Sequence, residues 1–403
     1  MELRENSINK NGLGSQLMVT KYLLSSVWLI IALLLMLSCA KQQPGDTGNF
    51  TDIRDSPEII PGHLKTVGSD TDFFFGDIVD VAVLTNGKIV VLDDRTMSVH
   101  LFSNTGDYEN KLSFRGRGPG EIQSLSGRLR TANDNMIALD DYMMYKISMY
   151  QVKDTTFQHV KDISFESSFG NYFMQNDQSL VLKTSAADST DKDFDIIQLV
   201  DVNTNTKGEE ILKVPAHDDI SLIANMGDFS FKMETSTEYH TRNAYCVEDN
   251  RLYHVRTDSM GYQVYDLHSG DAISNSVFKQ ESLPLTYKEK EAVIDSLLDS
   301  GSDYWGEGER ERLLSEMPDV KPYVKRVECD LPNGIWLEMM NEDSEKWLLI
   351  SGDGDITGLF TKSMEGDIVS FDNGYIFISN VSRDGDIELE IYDYTIGSPS
   401  GHQ

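Results

Sequence analysis

Phe114 to Ile122 reads FRGRGPGEI, and its residue types could do chemistry. Two arginines alternate with glycines, and a Gly-Pro-Gly turn runs into Glu121. Guanidinium forks such as those of Arg115 and Arg117 can hold a carboxylate, a phosphate or sugar hydroxyls through paired N–H donors. Pro119 presets φ at the first corner position and Gly120 permits positive φ at the second, which is the chemistry of a type II turn. The stretch therefore has two readings. One is a corner between strands in which Glu121 pairs an arginine. The other is a ligand-binding loop at a channel mouth, built from Arg115, Arg117 and Glu121. It is not a phosphate-binding P-loop, because the Lys-Ser/Thr ending is absent and no helix is expected after it.

Other chemistry is sparse. There is no Gly-x-Ser-x-Gly elbow, no HExxH and no sialidase-type Asp box. His254 and His268 fall on different expected strands without a third ligand, so they read as structural histidines. SGDGDITG (Ser351 to Gly358) and SRDGDIE (Ser382 to Glu388) look like calcium loops, but the distal bidentate glutamate is missing, and Asp-Gly favours hairpin turns. No catalytic residue, metal ligand or cofactor is expected. Cys246 and Cys329 share no loop and no CxxC spacing. One disulfide between them is open, but the default reading is two free, buried thiols acting as small hydrophobes.

The bulk numbers narrow the class. The chain has 403 residues, and 39% hydrophobic residues can fill a core. The formal charge of −31 argues against nucleic acid or anionic lipid bound by bulk attraction. Met18 to Gln43 carries a targeting signal: Lys21 precedes an apolar run from Tyr22 to Leu37, too short to span a membrane and suited to a signal peptide. The run ends in Met36-Leu37-Ser38-Cys39, which resembles a bacterial lipobox with Met36 and Leu37 in place of the usual residues. Cys39 would then be the lipid anchor, and membrane contact would come through acyl chains alone. Lys41, two residues after it, leans towards outer-membrane residence with the domain facing the periplasm. The expected layout is a signal peptide over 1–39, a polar linker over 40–55, a folded domain over 56–397 and a tail over 398–403. Met18 is an alternative start.

What must position these residues is a repeat. An Asn, Asp or Gly turn followed by a short apolar strand recurs as NGKIVVLD, NDNMIALD, NDQSLVLK, EDNRLYHV, PNGIWLEM and DNGYIFIS. Aligned on Lys88, Met136, Ser179, Arg251, Ile335 and Tyr375, three of the five intervals lie between 40 and 48 residues. Such a period with several strands per unit predicts propeller blades. The two long intervals are read as insertions. His217 to Tyr239 is expected to form a loop with an extra strand pair. Residues 285–318 are expected to be helical, with Ala292, Val293, Leu297 and Leu298 on one side and Thr286 with Glu289 as a capping box. Tyr304 and Trp305 in that insert are candidate docking aromatics. The sixth unit lacks a fourth strand, and Ile59 to Val67 is the candidate to close the ring. The expected fold is an all-β, six-bladed propeller of four-stranded antiparallel blades with a helical insertion before blade five.

With those blades and the run Gly116-Arg117-Gly118-Pro119-Gly120-Glu121, the sequence resembles the six-bladed β-propeller lipoproteins of Bacteroides-type bacteria, NHL-like in blade pattern. The resemblance implies a fold and an envelope location rather than an activity. The expectation is an envelope-anchored binding or scaffolding module for a protein partner or glycan, with no nucleic acid. The alternative is a propeller lyase or hydrolase with its site at the channel mouth. A close cluster of Arg, His, Tyr and carboxylates at one mouth would favour the enzyme.

Overall fold

Six four-stranded antiparallel blades follow from the six turn-strand repeats; five are built of consecutive strands, and the sixth takes its outermost strand from the start of the domain. The computed structural model describes residues 51–396 apart from 69–72, 188–192, 217–219, 227–228, 249, 300–304, 306–307, 331–332 and 341–343. Cys39, Tyr304 and the tail lie outside the described residues. Blade one is Ile78–Val83, Ile89–Asp93, Ser98–Phe102 and Tyr108–Ser113, from the inner strand outward. The inner strands of blades two to six are Leu125–Ala132, Asn171–Met174, Asn243–Glu248, Val324–Asp330 and Asp367–Asp372. The second and third strands of blade one are buried along their whole length, whereas its outermost strand is not. Blade faces pack on neighbouring blades, so the middle strands read as continuous apolar runs rather than alternating ones. One core cluster joins blades one and two through Leu92, Leu101, Leu129 and Tyr150. Another stacks Trp336 on Phe371 at 4.3 Å between blades five and six.

The ring closes as expected. Ile59–Val67 pairs antiparallel with Ile387–Ile396 and becomes the outermost strand of blade six. The chain before it is structured earlier than the expected linker boundary. Thr51–Asp52 runs parallel to Ala272–Lys279 of blade four, and the amide of Leu359 in blade five donates to Pro57 O. The N-terminal segment thus ties three successive blades along their outer edges.

Up-and-down connectivity puts the turns between second and third strands, and the connections from each outer strand to the next inner strand, on one face of the disc. Both insertions leave from that face. The strand pair is Ile220–Met226 with Phe229–Thr235, and the helices are α1 (Tyr287–Asp299) and α2 (Glu309–Glu316). The capping box forms, with Thr286 Oγ1 donating to Glu289 Oε2 at 2.6 Å. Hairpin and helices share a core of Ile220, Leu222, Ile294, Leu313 and Met317. The amide of Ile223 also donates to Glu309 Oε1. Trp305 is half-buried there and donates to Leu298 O, which ties it to the insert.

The cysteine reading is corrected. Cys246 and Cys329 form a disulfide between the inner strands of blades four and five, with Cα atoms 5.6 Å apart. They are 83 residues apart in sequence, and only the ring brings them face to face.

Ring closure yields a prediction. A chain lacking residues up to Phe73 exposes the edge of Ile387–Ile396, and unpaired edges template aggregation. Such a truncation should sediment as aggregate or melt well below the intact protein; a monomeric truncation with an unchanged melting temperature would refute the closing role.

Candidate functional site

The Gly-Pro-Gly corner forms the type II turn that its residues demand. The amide of Glu121 donates to Gly118 O at 3.0 Å and Gly120 sits at φ +71°. Glu121 does not pair an arginine. Its carboxylate accepts from the backbone amides of Arg117 (2.9 Å) and Gly118 (2.7 Å). A side chain at position 116 would collide with that carboxylate, since a Cβ there would lie 2.1 Å from Glu121 Oε2. The turn is then bolted to the outer half of blade two. Lys146 Nζ donates to Glu121 O at 2.6 Å, Tyr150 Oη donates to Gly120 O, and the Gly120 amide donates to Asp162. These partners belong to the two outer strands of blade two, so the turn rests on the disc's outer half and not on the channel lining. Glu121 is therefore structural. Arg115 and Arg117 are left exposed, with no carboxylate in ion-pair range among the described residues.

Next to this corner lies a feature the sequence reading passed over. Tyr142, Met143, Met144 and Tyr145 form the turn between the second and third strands of blade two, and they are 51%, 57%, 45% and 41% exposed. The two loops are hydrogen-bonded to each other. The amide of Gln123 donates to Asp141 Oδ2 at 2.7 Å, and that of Tyr142 donates to Ser124 O. Tyr145 is held at φ +49°, a left-handed conformation that costs a bulky residue energy. Met97, in the matching turn of blade one, sits at φ +48°, so the conformation belongs to the turn type and not to a special function. Blade one adds Phe74, 72% exposed, and Arg95 on the rim of a cavity of about 470 Å³. Soluble surfaces rarely place four large apolar side chains in a row.

A second constellation lines the inner strands. Asp80 of blade one accepts from the Leu129 amide at 2.8 Å and lies 3.5 Å from Arg130. Arg130 also donates to Tyr172 O and sits over the Phe173 ring of blade three. Arg326 and Glu328 of blade five stand across the ring. Arg326 lies over the Trp347 ring, donates to Ile368 O and sits 3.3 Å from Glu338, while its Nε makes no hydrogen bond. Burial pushes the Glu328 carboxyl up to about 7, an effect that Arg326 opposes and Asp80 reinforces. Asp372 of blade six accepts from the Val83 amide, yet burial and the nearby Asp330 and Asp80 push it up to about 8. Glu328 keeps 30% of its side-chain surface exposed. A family model described as a 6-bladed beta-propeller, DUF5128, matches residues 53–296.

The chain belongs to that family. Two of the solved structures similar to this DUF5128 propeller come from Bacteroides species. One, a Bacteroides fragilis protein named as exported, is 14% identical with a TM-score of 0.53, the alignment covering 87% of this chain and 99% of that one. Another, a member of the DUF4221 family from Bacteroides vulgatus, is 12% identical with a TM-score of 0.51, covering 85% and 100%. At such identities the likeness concerns the fold. No curated protein matches the chain.

His254 and His268 are both hydrogen-bonded within blade four. His254 is buried, stacked on Tyr245, and bonded to Asn243 Oδ1. Burial pushes it down to about 4. His268 sits on Asn250 at the foot of a turn. Among the described residues no group of three or more His, Cys, Asp or Glu could hold a metal.

The channel carboxyls set a pH dependence. Glu328 and Asp372 are raised above their ordinary values of 4.5 and 3.8, so the folded state holds their protons more tightly than the unfolded state. Their contribution is full below about pH 4 and is lost as pH rises through 7 to 8. Asp372→Asn keeps an acceptor for the Val83 amide and removes the titration. Its stability advantage over the parent should be larger at pH 8.5 than at pH 5, by at most a few kcal/mol. Equal stabilities at both pH values would refute the assignment.

Proposed function

We propose that this DUF5128 propeller is an envelope-anchored lipoprotein that docks a protein partner through the face carrying Phe114–Ser124 and Tyr142–Tyr145. The observation that carries the reading is the exposed Tyr-Met-Met-Tyr turn, bonded to the corner that frees Arg115 and Arg117. Aromatic and arginine side chains supply most interface hot spots, and methionine adapts to irregular protein surfaces. Methionines in the patch favour a protein over a glycan. The fitting partner presents an apolar patch rimmed by carboxylates, which would meet the two unpaired guanidiniums.

The anchoring reading rests on the lipobox-like run at Cys39 and on the outer-membrane leaning of Lys41, with the disc facing the periplasm. Two observations support export. The Cys246–Cys329 disulfide suits an oxidising compartment, and a similar Bacteroides protein is named as exported. The charged channel is the observation that favours the second reading, an enzyme with its site at the channel mouth, because raised carboxyls beside arginines are a common catalytic setting.

The test is affinity recovery from native envelope membranes with the tethered protein as bait. Tyr142→Ser with Met143→Ser should leave the melting temperature unchanged and lower recovery of the co-purifying protein at least tenfold, as expected for the loss of roughly 2 kcal/mol of hot-spot contact. Arg117→Glu should lower it through charge, and Cys39→Ala should move the protein out of the membrane fraction. Full recovery by the double variant would reject the docking face.

A further inference from the structure

We propose that the central channel binds a small oxyanion-bearing ligand, a carboxylate or a phosphate, on the paired guanidiniums of Arg128 and Arg130. Both lie on the inner strand of blade two, and their guanidiniums reach backbone carbonyls at the start of blade three, Gly170 O and Tyr172 O. That strand is irregular where they begin. Between Leu125 and Leu129 it advances four residues while its partner advances two, from Asp141 to Leu139, and Gly127 takes φ +80° to absorb the excess. Bulges of this kind re-aim side chains and are over-represented beside functional sites.

The two guanidiniums are unequally satisfied. Arg130 has Asp80, two backbone carbonyls and an aromatic face. Among the described residues Arg128 has a single long hydrogen bond, 3.4 Å to Gly170 O. Among the described residues it has no carboxylate within 4.0 Å. Burial, and then the like charge of Arg130, push its guanidinium below the ordinary value. A desolvated cation beside another cation is costly, and an oxyanion bound between them relieves both desolvation and repulsion. The planar fork of arginine suits the paired oxygens of carboxylate and phosphate.

The surrounding carboxyls do not cancel this site. Asp80 is already spent on the Leu129 and Val81 amides, and Asp140 on the Ser126 hydroxyl. Burial raises the carboxyls of Glu328 and Asp372, which weakens their repulsion of a bound anion. This inference is independent of the docking face, because the residues belong to the inner strands and not to the loops.

Isothermal titration of the full-length protein in detergent tests it, with inorganic phosphate and succinate as probes at constant ionic strength. At least one probe should bind. Arg128→Gln should weaken that binding tenfold or more, and Arg128→Lys should fall between. Heat with phosphate alone would assign a phosphate-bearing ligand, and heat with succinate alone a carboxylate. If Arg128→Gln does not fold, Arg128→Lys carries the comparison, because a point charge loses the fork but keeps the cation. No heat with either probe, or equal affinity in a folded Arg128 variant, would overturn the proposal.

Discussion

Everything in this molecule depends on the pairing of Ile59–Val67 with Ile387–Ile396. A row of four-stranded blades is open at both ends, and each end exposes a sheet face and an edge that water must solvate. Joining the first strand to the last blade removes both ends at once. The same closure creates the channel, since only a closed ring brings blade five opposite blade two. Arg128, Arg130, Asp80 and Glu328 come from three blades, and Glu328 of blade five acts on the other three across the channel of the shut ring. Closure is thus a condition for any channel chemistry as well as for stability.

Within the ring, carboxylates serve as staples between neighbouring segments. Asp80 accepts from Leu129, Asp372 from Val83 and Asp330 from Gly374, each bond crossing from one blade to the next. Asp93 and Asp141 do the same for the loops entering their own blades. Glu121 belongs to this class, with two backbone amides as partners. The FRGRGPGEI stretch therefore divides. Its glycines, proline and glutamate build a corner, and its arginines are surplus to that corner. Surplus, exposed arginines next to exposed tyrosines and methionines are what make the face a surface for binding.

The fold was legible in the sequence because its signals are local. Asn-Gly turns, apolar strands of five residues and the Thr286–Glu289 cap each act over a few positions, and they recur. The closing strand could be named because one unit was visibly a strand short. The site was less legible, for reasons of distance. Asp80 and Glu328 lie 248 positions apart in the numbering, and Cys246 and Cys329 are 83 apart, with no local pattern to announce their meeting. Glu121 was expected to pair an arginine because charge is readable and backbone amides are not. The Tyr-Met-Met-Tyr turn could have been found: four large apolar residues between Asp141 and Lys146, at a position the repeat marks as a turn, contradict the usual polarity of turns.

The distribution of charge ties the two surfaces together. A chain of net charge −31 repels most anionic partners at long range, so an anion or an acidic rim must be recognised at short range by guanidiniums freed from internal pairing. Several arginines here are not free: Arg54, Arg256, Arg310 and Arg312 are locked to carboxylates nearby in the fold. Arg115 and Arg117 escape because Glu121 is occupied by backbone amides. Arg128 escapes because the bulge at Gly127 re-aims its segment while the neighbouring aspartates are held by amides and a hydroxyl. In both places one mechanism produces an available cation in an acidic protein: the nearest carboxylate is committed to the backbone or a hydroxyl, and the arginine is left over.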